Sequence, residues 1–351
     1  MTTNFITDKE RARAIFIWVA SSIQYDIDNM FAINFYETED DKINKPLKTR
    51  KGICENYAAL FNDICRKSGI KSYVVEGYTK QNGFADYIPH AWCAAFVDSA
   101  WFLFDPTWGS GYVSNGKFYR KIENAYFNAK PAAFIKSHMP FDYLWQFMNY
   151  PVTNQEFYEG KTAPNTAKPF FNFIDSISAY ERLSHMEQLA AAAGRIENNG
   201  VKNAMIFDRL QHIKIEMENN RIQRENERQN AIVNLYNSAV ADYNKAINDM
   251  NAFIDYRNHQ FTPGKPDTEI QGMIDTVSKR LTNAKSKLSQ VKNPDANFAS
   301  SMTQLTKSIA EIDTHLHEQQ EWLTIYFSKS EKKRKSMFYE KKITWFGIPL
   351  N

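Results

Sequence analysis

Three residues in the first half of the chain are of the types that together make a nucleophile: Cys54, His90 and Asp105. A thiol attacks carbonyl carbon well only as its thiolate, and an imidazole steadied by a carboxylate can take the proton away. The chemistry open to such a set is acyl transfer at an amide. Cys54 follows closely on Gly52 in KGICENYAALFNDICRKSG, and Gly52 permits a tight approach of backbone there. Tyr57, Leu60, Phe61 and Ile64 then recur at helical spacing, and the run closes on Arg66, Lys67 and Gly69. The pattern predicts a helix of roughly four turns with the cysteine in its first turn, where unpaired backbone N–H groups and the macrodipole favour thiolate over thiol. Cys65 sits at the basic end of the same helix and lacks that advantage.

The partners come from a strand pair. KSYVVEGYT reads as a strand, QNGFADYIP as a polar loop, and HAWCAAFVD and WFLFDPTWG as two further strands with Ser99 and Ala100 as the turn between them. His90 is expected to start the first of these two and Asp105 to end the second, and antiparallel pairing then makes imidazole and carboxylate neighbours. Cys93, at odd offset from His90, is expected on the other face as core. Each residue has an ordinary role too: free buried cysteines are common, and Asp105 can begin a turn with Pro106. It is their joint occurrence that favours a site. Upstream, Thr7 and Glu10 stand in capping-box spacing before Ala12, Ile15, Phe16, Val19 and Ile23, so a helix is expected to end near Ser22, with a loop from there to Arg50.

These elements occupy a mixed region. Trp18, Trp92, Trp101, Trp108 and Trp145 are five of the seven tryptophans, and all precede residue 170. Beyond it the chain turns rich in Asn, Gln, Lys, Glu and Ala, with apolar residues at helical spacing: Ile270, Ile274, Val277, Leu281, Ala284 and Leu288, then Met302, Leu305, Ile309, Ile312, Leu316, Leu323 and Phe327. Breaks at Gly194 to Gly200, at FTPGKPD and at KNPDAN divide it into three or four long helices. The organisation expected is a catalytic domain over 1–170 and an elongated helical hairpin or bundle over 171–351. The basic run KSEKKRKSMFYEKK reads as a solvated helix end, and ITWFGIPL as a tail that docks back on the body.

Composition removes several classes. Of 351 residues, 43% are hydrophobic and 24% charged, with a net charge of +3, so no broad field selects nucleic acid or an anionic membrane. Three cysteines cannot make a disulfide framework. No run approaches the ~18 apolar residues of a membrane span, and Met1 to Ile6 shows no export signature. A cytoplasmic location is the default expectation, with an exported or periplasmic one if the N-terminus has been trimmed. Phosphate-loop, dinucleotide and zinc motifs are absent from the sequence, so neither cofactor nor metal is expected. His315 and His317, two apart on a helix, are expected to be solvated, and His138 in SHMPFDYLW to be a packed structural residue.

GICENYAALFNDICRKSGI followed by PHAWCAAFVDSAWFLFDPTWG resembles the core of the transglutaminase-like superfamily, papain-like thiol enzymes whose Cys, His and Asp come in this order. IFIWVASSIQYD resembles that family's preceding helix, and YFNAKPAAFIKSHMPFDYLWQFMNYPVTNQEF is similar to an extension in the kyphoscoliosis-peptidase and cytokinesis-protein branch. The resemblance covers about residues 7 to 160. It implies an α+β fold, a papain-like transglutaminase core in which the cysteine-bearing helix packs on an antiparallel sheet, followed by a long all-α, coiled-coil-like region. It implies Cys54 as nucleophile, His90 as base and Asp105 as its orienter. Animal cross-linking members carry a Trp before the cysteine that helps hold the oxyanion; none lies between Tyr25 and Cys54, which leaves Tyr25 as the oxyanion candidate. Tyr57, Trp92 and Trp108 are candidates for the wall of a substrate cleft. The expected function is thiol-dependent acyl transfer on a peptide or protein substrate, with hydrolysis first. The alternatives are amine-accepting cross-linking and an interaction scaffold whose helical arms bind a partner or a second copy while the triad is vestigial.

Overall fold

The computed structural model of the chain describes residues 6–30, 37–81 and 84–339, of which 84–88 are described by their backbone alone. Its contacts group the chain into two units, divided between Asn220 and Arg221.

The first unit opens with helix α1 (Asp8–Ser22), capped by the Thr7–Glu10 box and burying Ala12, Ile15, Phe16 and Val19. Its C-terminal carbonyls are met from outside the helix, since the Arg120 guanidinium donates to Ala20 O and Ile23 O. Next come a short strand β1 (Gln24–Tyr25), helix α2 (Glu39–Thr49), strand β2 (Lys51–Gly52) and helix α3 (Cys54–Lys67). The loop expected up to Arg50 is therefore in part a helix. Pro46 lies inside it, a residue that argues against helix in a sequence, but Thr38 caps its start and three acidic residues stabilise its first turn.

Strands β3 (Ser72–Gln81), β4 (Phe84–Val97) and β5 (Ala100–Phe104) form an antiparallel sheet with the later β8 (His138–Pro140), in the order β5-β4-β3-β8. Two details differ from expectation. Strand β4 begins at Phe84 rather than at His90, so the stretch read as polar loop is partly extended. The turn residues are Asp98 and Ser99, both at positive φ, while Ala100 already pairs with Val97. Helix α3 packs on one face of the sheet, and its Tyr57, Phe61 and Cys65 share a core with Phe16, Cys93 and Phe104.

A hairpin of β6 (Gly111–Ser114) and β7 (Lys117–Arg120) follows β5, and helix α4 (Pro131–Phe134) leads into β8. Helices α5 (Asn154–Glu159), α6 (Phe173–Tyr180) and α7 (His185–Asn199) complete the unit with the first part of α8 (Ala204–Asn258). Leu189, Ile196, Ile206 and Leu210 join Tyr78, Met139 and Phe157 in one cluster, and Arg195 donates to both carboxylate oxygens of Asp142 at 2.7 and 2.8 Å. These contacts carry the first unit to Asn220, past the expected boundary at 170. Helix α7 also runs through Gly194 and stops at Gly200.

The second unit holds the rest of α8 with α9 (Asp267–Gln290), α10 (Ala296–Ser328) and α11 (Glu331–Ser336). The predicted apolar stripes are its core: Ile270, Ile274, Val277, Leu281, Ala284 and Leu288 are buried, as are Leu305, Ile309, Leu316 and Leu323. The interhelix breaks fall at FTPGKPD and KNPDAN as read, and ENNRIQRENERQN lies within α8. Arg334 of the basic run bonds Asp267 through two nitrogens, each at 2.8 Å. The run ITWFGIPL lies outside the described residues. Among the described residues no helix is long and apolar enough to cross a membrane.

Candidate active site

Cys54 is placed by the short elements before it. Strands β1 and β2 pair in parallel, with Tyr25 opposite Gly52, and Asp26 N–H donates to Gly52 O at 3.0 Å. A Cβ on Gly52 would come within 2.8 Å of Asn56 Cβ, so a larger residue there would disturb the turn. Asn56 secures the helix start: its Oδ1 accepts from Ile53 N–H at 2.9 Å, and its side-chain amide donates to Lys42 O at 3.1 Å. The helix therefore begins at the cysteine, whose own N–H has no intrahelical acceptor.

His90 and Asp105 meet as the strand pairing requires. Cys93 on β4 pairs with Phe104 on β5, which brings His90, three residues before Cys93, to the side of Asp105, one residue beyond Phe104. His90 Nε2 lies 2.8 Å from Asp105 Oδ2. The Cys54 side chain stands near enough to the imidazole to favour its charged form, and Nδ1 is the ring nitrogen not turned to Asp105. All three residues are largely buried. Cys54 is 6% exposed, the His90 side chain 10%, and Asp105 0%.

Burying a carboxylate this completely is costly unless its lone pairs are all used. Asp105 Oδ1 accepts from Thr107 N–H at 2.8 Å and Trp108 N–H at 3.0 Å. Its Oδ2 faces His90 Nε2 and, at 3.1 Å, His138 Nε2. Burial alone would push the Asp105 carboxyl up; the His90 charge and the hydrogen bonds from His138 and His90 outweigh it and hold the group below the usual carboxylate range. For His90, burial opposes charging, yet the Asp105 charge and hydrogen bond, with those of Cys54, raise it to about 10. Burial pushes the Cys65 and Cys93 thiols up, and Cys93 Sγ donates to Ala58 O at 3.2 Å deep in the core.

The remaining candidates divide. Tyr25 is close enough that the Cys54 and Asp105 charges, after burial, raise its hydroxyl above the ordinary value. Tyr57 and Trp92 are core rather than cleft wall: both are fully buried, and Tyr57 Oη donates to Ile23 O at 2.7 Å. Trp108 is partly exposed, its ring 5.6 Å from that of His90 and 4.6 Å from that of His138. His315 and His317 are exposed, each beside a glutamate one turn on. A cavity of about 800 Å³ is lined by residues of α2, α3 and β3, among them Lys42, Glu55, Arg66 and Glu76, and its lining does not include Cys54, His90 or Asp105.

His138 is the packed residue that the sequence predicts, but what it packs against is the site itself. It is buried and bonds the same carboxylate oxygen as His90, a tertiary pairing with no short-range signature. Among the described residues His90, Asp105 and His138 form the group whose metal-ligating atoms lie together, all within 4.8 Å. Both imidazole nitrogens converge on one oxygen at 2.8 and 3.1 Å, which is the spacing of N–H donors around an acceptor; a transition metal bound by such residues would sit ~2.0–2.2 Å from each.

With this geometry in place, comparison with known proteins is informative. Residues 1–106 match the model of the transglutaminase-like superfamily. These residues are a transglutaminase-like domain. Human kyphoscoliosis peptidase is 37% identical over 162 residues, 43% of this chain and 24% of that protein, and Drosophila melanogaster hillarin is 27% identical over 189 residues, 48% and 22% of the two chains. A crystal structure described as that of a TGase is 18% identical, with a TM-score of 0.26 over 34% of this chain and 31% of its own. The aligned region spans about a quarter of the curated relatives it matches. The matched region is thus similar to part of kyphoscoliosis peptidase, with a mixed fold consistent with thiol acyl transfer.

Proposed function

We propose that this chain catalyses thiol-dependent acyl transfer at peptide or side-chain amides, with water as the usual acceptor. The observation that supports this most is the His90 ring, bonded through Nε2 to a fully buried carboxylate and near enough to Cys54 for that side chain to favour its charged form. His90 Nδ1 holds the proton taken from the Cys54 thiol while Cys54 Sγ attacks the carbonyl carbon. The negative charge moves to the carbonyl oxygen, where the Cys54 N–H at the helix start, with the Tyr25 hydroxyl, would receive it. The C–N bond then breaks, the amine leaves with the proton from His90, and a thioester remains on Cys54. Water, deprotonated by His90, attacks the thioester, releasing a carboxylic acid and restoring the thiol. Asp105 stays ionised throughout and stabilises the imidazolium.

The test is a screen of peptide amides against the parent and a Cys54→Ala variant. Release of amine by the parent and not by the variant supports the proposal; equal release by both overturns it. Products formed in the presence of a primary amine distinguish hydrolysis from transfer, since an amine acceptor would appear as a new amide.

A further inference from the structure

His138 lies on β8, opposite Thr79 of β3, and His90 lies on β4, opposite Gly77 of the same strand. Two residues apart along β3, these positions share a face of the sheet. Gly77 leaves that face free: a Cβ there would meet Trp92 Cη2 at 2.5 Å and Met139 O at 2.1 Å. The His138 ring is stacked on Phe134 at 3.9 Å and contacts Trp108 and Trp92, so it has little freedom to turn.

Hydrogen-bond arithmetic assigns its protons. An ionised carboxylate only accepts, so both imidazoles present N–H at Nε2 to Asp105 Oδ2. A neutral His138 then has a bare Nδ1, and the Ser137 hydroxyl, 2.8 Å away, donates to it. The chain of donors runs Ser137 to His138 to Asp105. With two backbone N–H groups on Oδ1 and two imidazoles on Oδ2, the carboxylate cannot rotate without breaking bonds on both sides.

We infer that His138 is a positioning residue for the proposed acyl-transfer site: its Nε2–H, fixed by Ser137, holds the Asp105 carboxylate so that Oδ2 stays on His90 and Nδ1 of His90 stays on Cys54. This inference rests on the reading of Cys54, His90 and Asp105 as the reactive set. Without the His138 donor one buried acceptor site of Asp105 is unfilled, the carboxylate turns, and His90 loses its orientation towards the thiol.

The experiment measures alkylation of Cys54 by iodoacetamide near pH 6, by mass spectrometry on the full chain, in the parent and in His138→Phe, His138→Gln and Ser137→Ala. Phe keeps the ring and loses the donor, whereas Gln can place an amide N–H where Nε2 was. The expectation is a loss of about tenfold in His138→Phe, a rate within about threefold of the parent in His138→Gln, and an intermediate loss in Ser137→Ala, which leaves the packing intact. Continued protection of Cys65 and Cys93 reports that each variant is folded. An unchanged rate in folded His138→Phe, or an equal loss in Phe and Gln variants, overturns the inference. A parent in which Cys54 reacts no faster than the other cysteines contradicts the acyl-transfer reading instead. Nitrogen-15 NMR of the parent imidazoles is independent of reactivity: a protonated Nε2 and bare Nδ1 on His138 are expected, and the opposite tautomer refutes the assignment.

Discussion

Replacing Asp105 by Asn keeps the shape of the side chain and exchanges one acceptor oxygen for a donor. Two backbone N–H groups point at one end of the carboxylate and two imidazole nitrogens at the other. The backbone donors cannot change, so the amide oxygen turns to Thr107 and Trp108 and the NH2 faces His90 and His138. His90 must then offer a bare Nε2, and its proton moves to Nδ1, opposite the thiol. An imidazole in that tautomer cannot accept the Cys54 proton. The expected loss is about 10³- to 10⁴-fold in acyl transfer or in Cys54 alkylation, the size of the effect when a triad acid becomes an amide elsewhere. Stability should change far less, by about 1–3 kcal/mol, because the charge-assisted bonds are lost along with the buried charge they served. The assays are alkylation kinetics at fixed pH and urea denaturation of the same samples. A folded Asp105→Asn protein whose Cys54 reacts within threefold of the parent would refute the tautomer argument.

Further outcomes follow from the same geometry. Gly77→Ala sets a methyl against Met139 O, Pro140 Cα and Trp92, so β8 must move from β3; a loss of about 3 kcal/mol or more in denaturant unfolding is expected, and a neutral effect would contradict the packing. Arg195→Ala strips the Asp142 carboxylate, 8% exposed, of two donors that tie α7 to the segment after β8, and should cost about 2–4 kcal/mol in the same measurement. The pH dependence has two limbs. Because the His90 pKa is raised, its contribution to stability is full below the ordinary histidine range and fades as pH rises towards about 10; the urea midpoint should fall across that interval in the parent and less in His90→Gln. Because the Asp105 pKa is depressed, its contribution is present above the ordinary carboxylate range and is lost as strong acid protonates it, a limb that Asp105→Asn should lack.

Much of the site could be read along the chain because its members lie on regular elements. The helix after Gly52 declares itself by the spacing of Tyr57, Leu60, Phe61 and Ile64, and the tight β4–β5 hairpin dictates that His90 and Asp105 meet. Helix α2 was hidden by Pro46, whose penalty is offset by a Thr38 cap and an acidic first turn. Tyr57 and Trp92 looked like cleft residues because an aromatic near a nucleophile can face either way; burial against α1 and α4 decides it, and burial is a tertiary fact. His138 is the clearest case. Its partner is 33 residues away and is reached only because β8 returns to pair with β3, so nothing in its local pattern separates it from an ordinary core histidine. The helical half was legible in its heptad-like stripes, but the extent of the first unit was not, since the packing of α7 and the start of α8 on β3 and β8 has no periodicity of its own.

The central claim is that Cys54 is the one activated thiol of the chain, made so by His90. Iodoacetamide labelling near pH 6, read residue by residue by mass spectrometry in the parent and in His90→Ala, addresses it directly. The account predicts modification of Cys54 far ahead of Cys65 and Cys93 in the parent, and loss of that lead in the variant. Equal and slow labelling of all three thiols, or a Cys54 rate indifferent to His90, would contradict it.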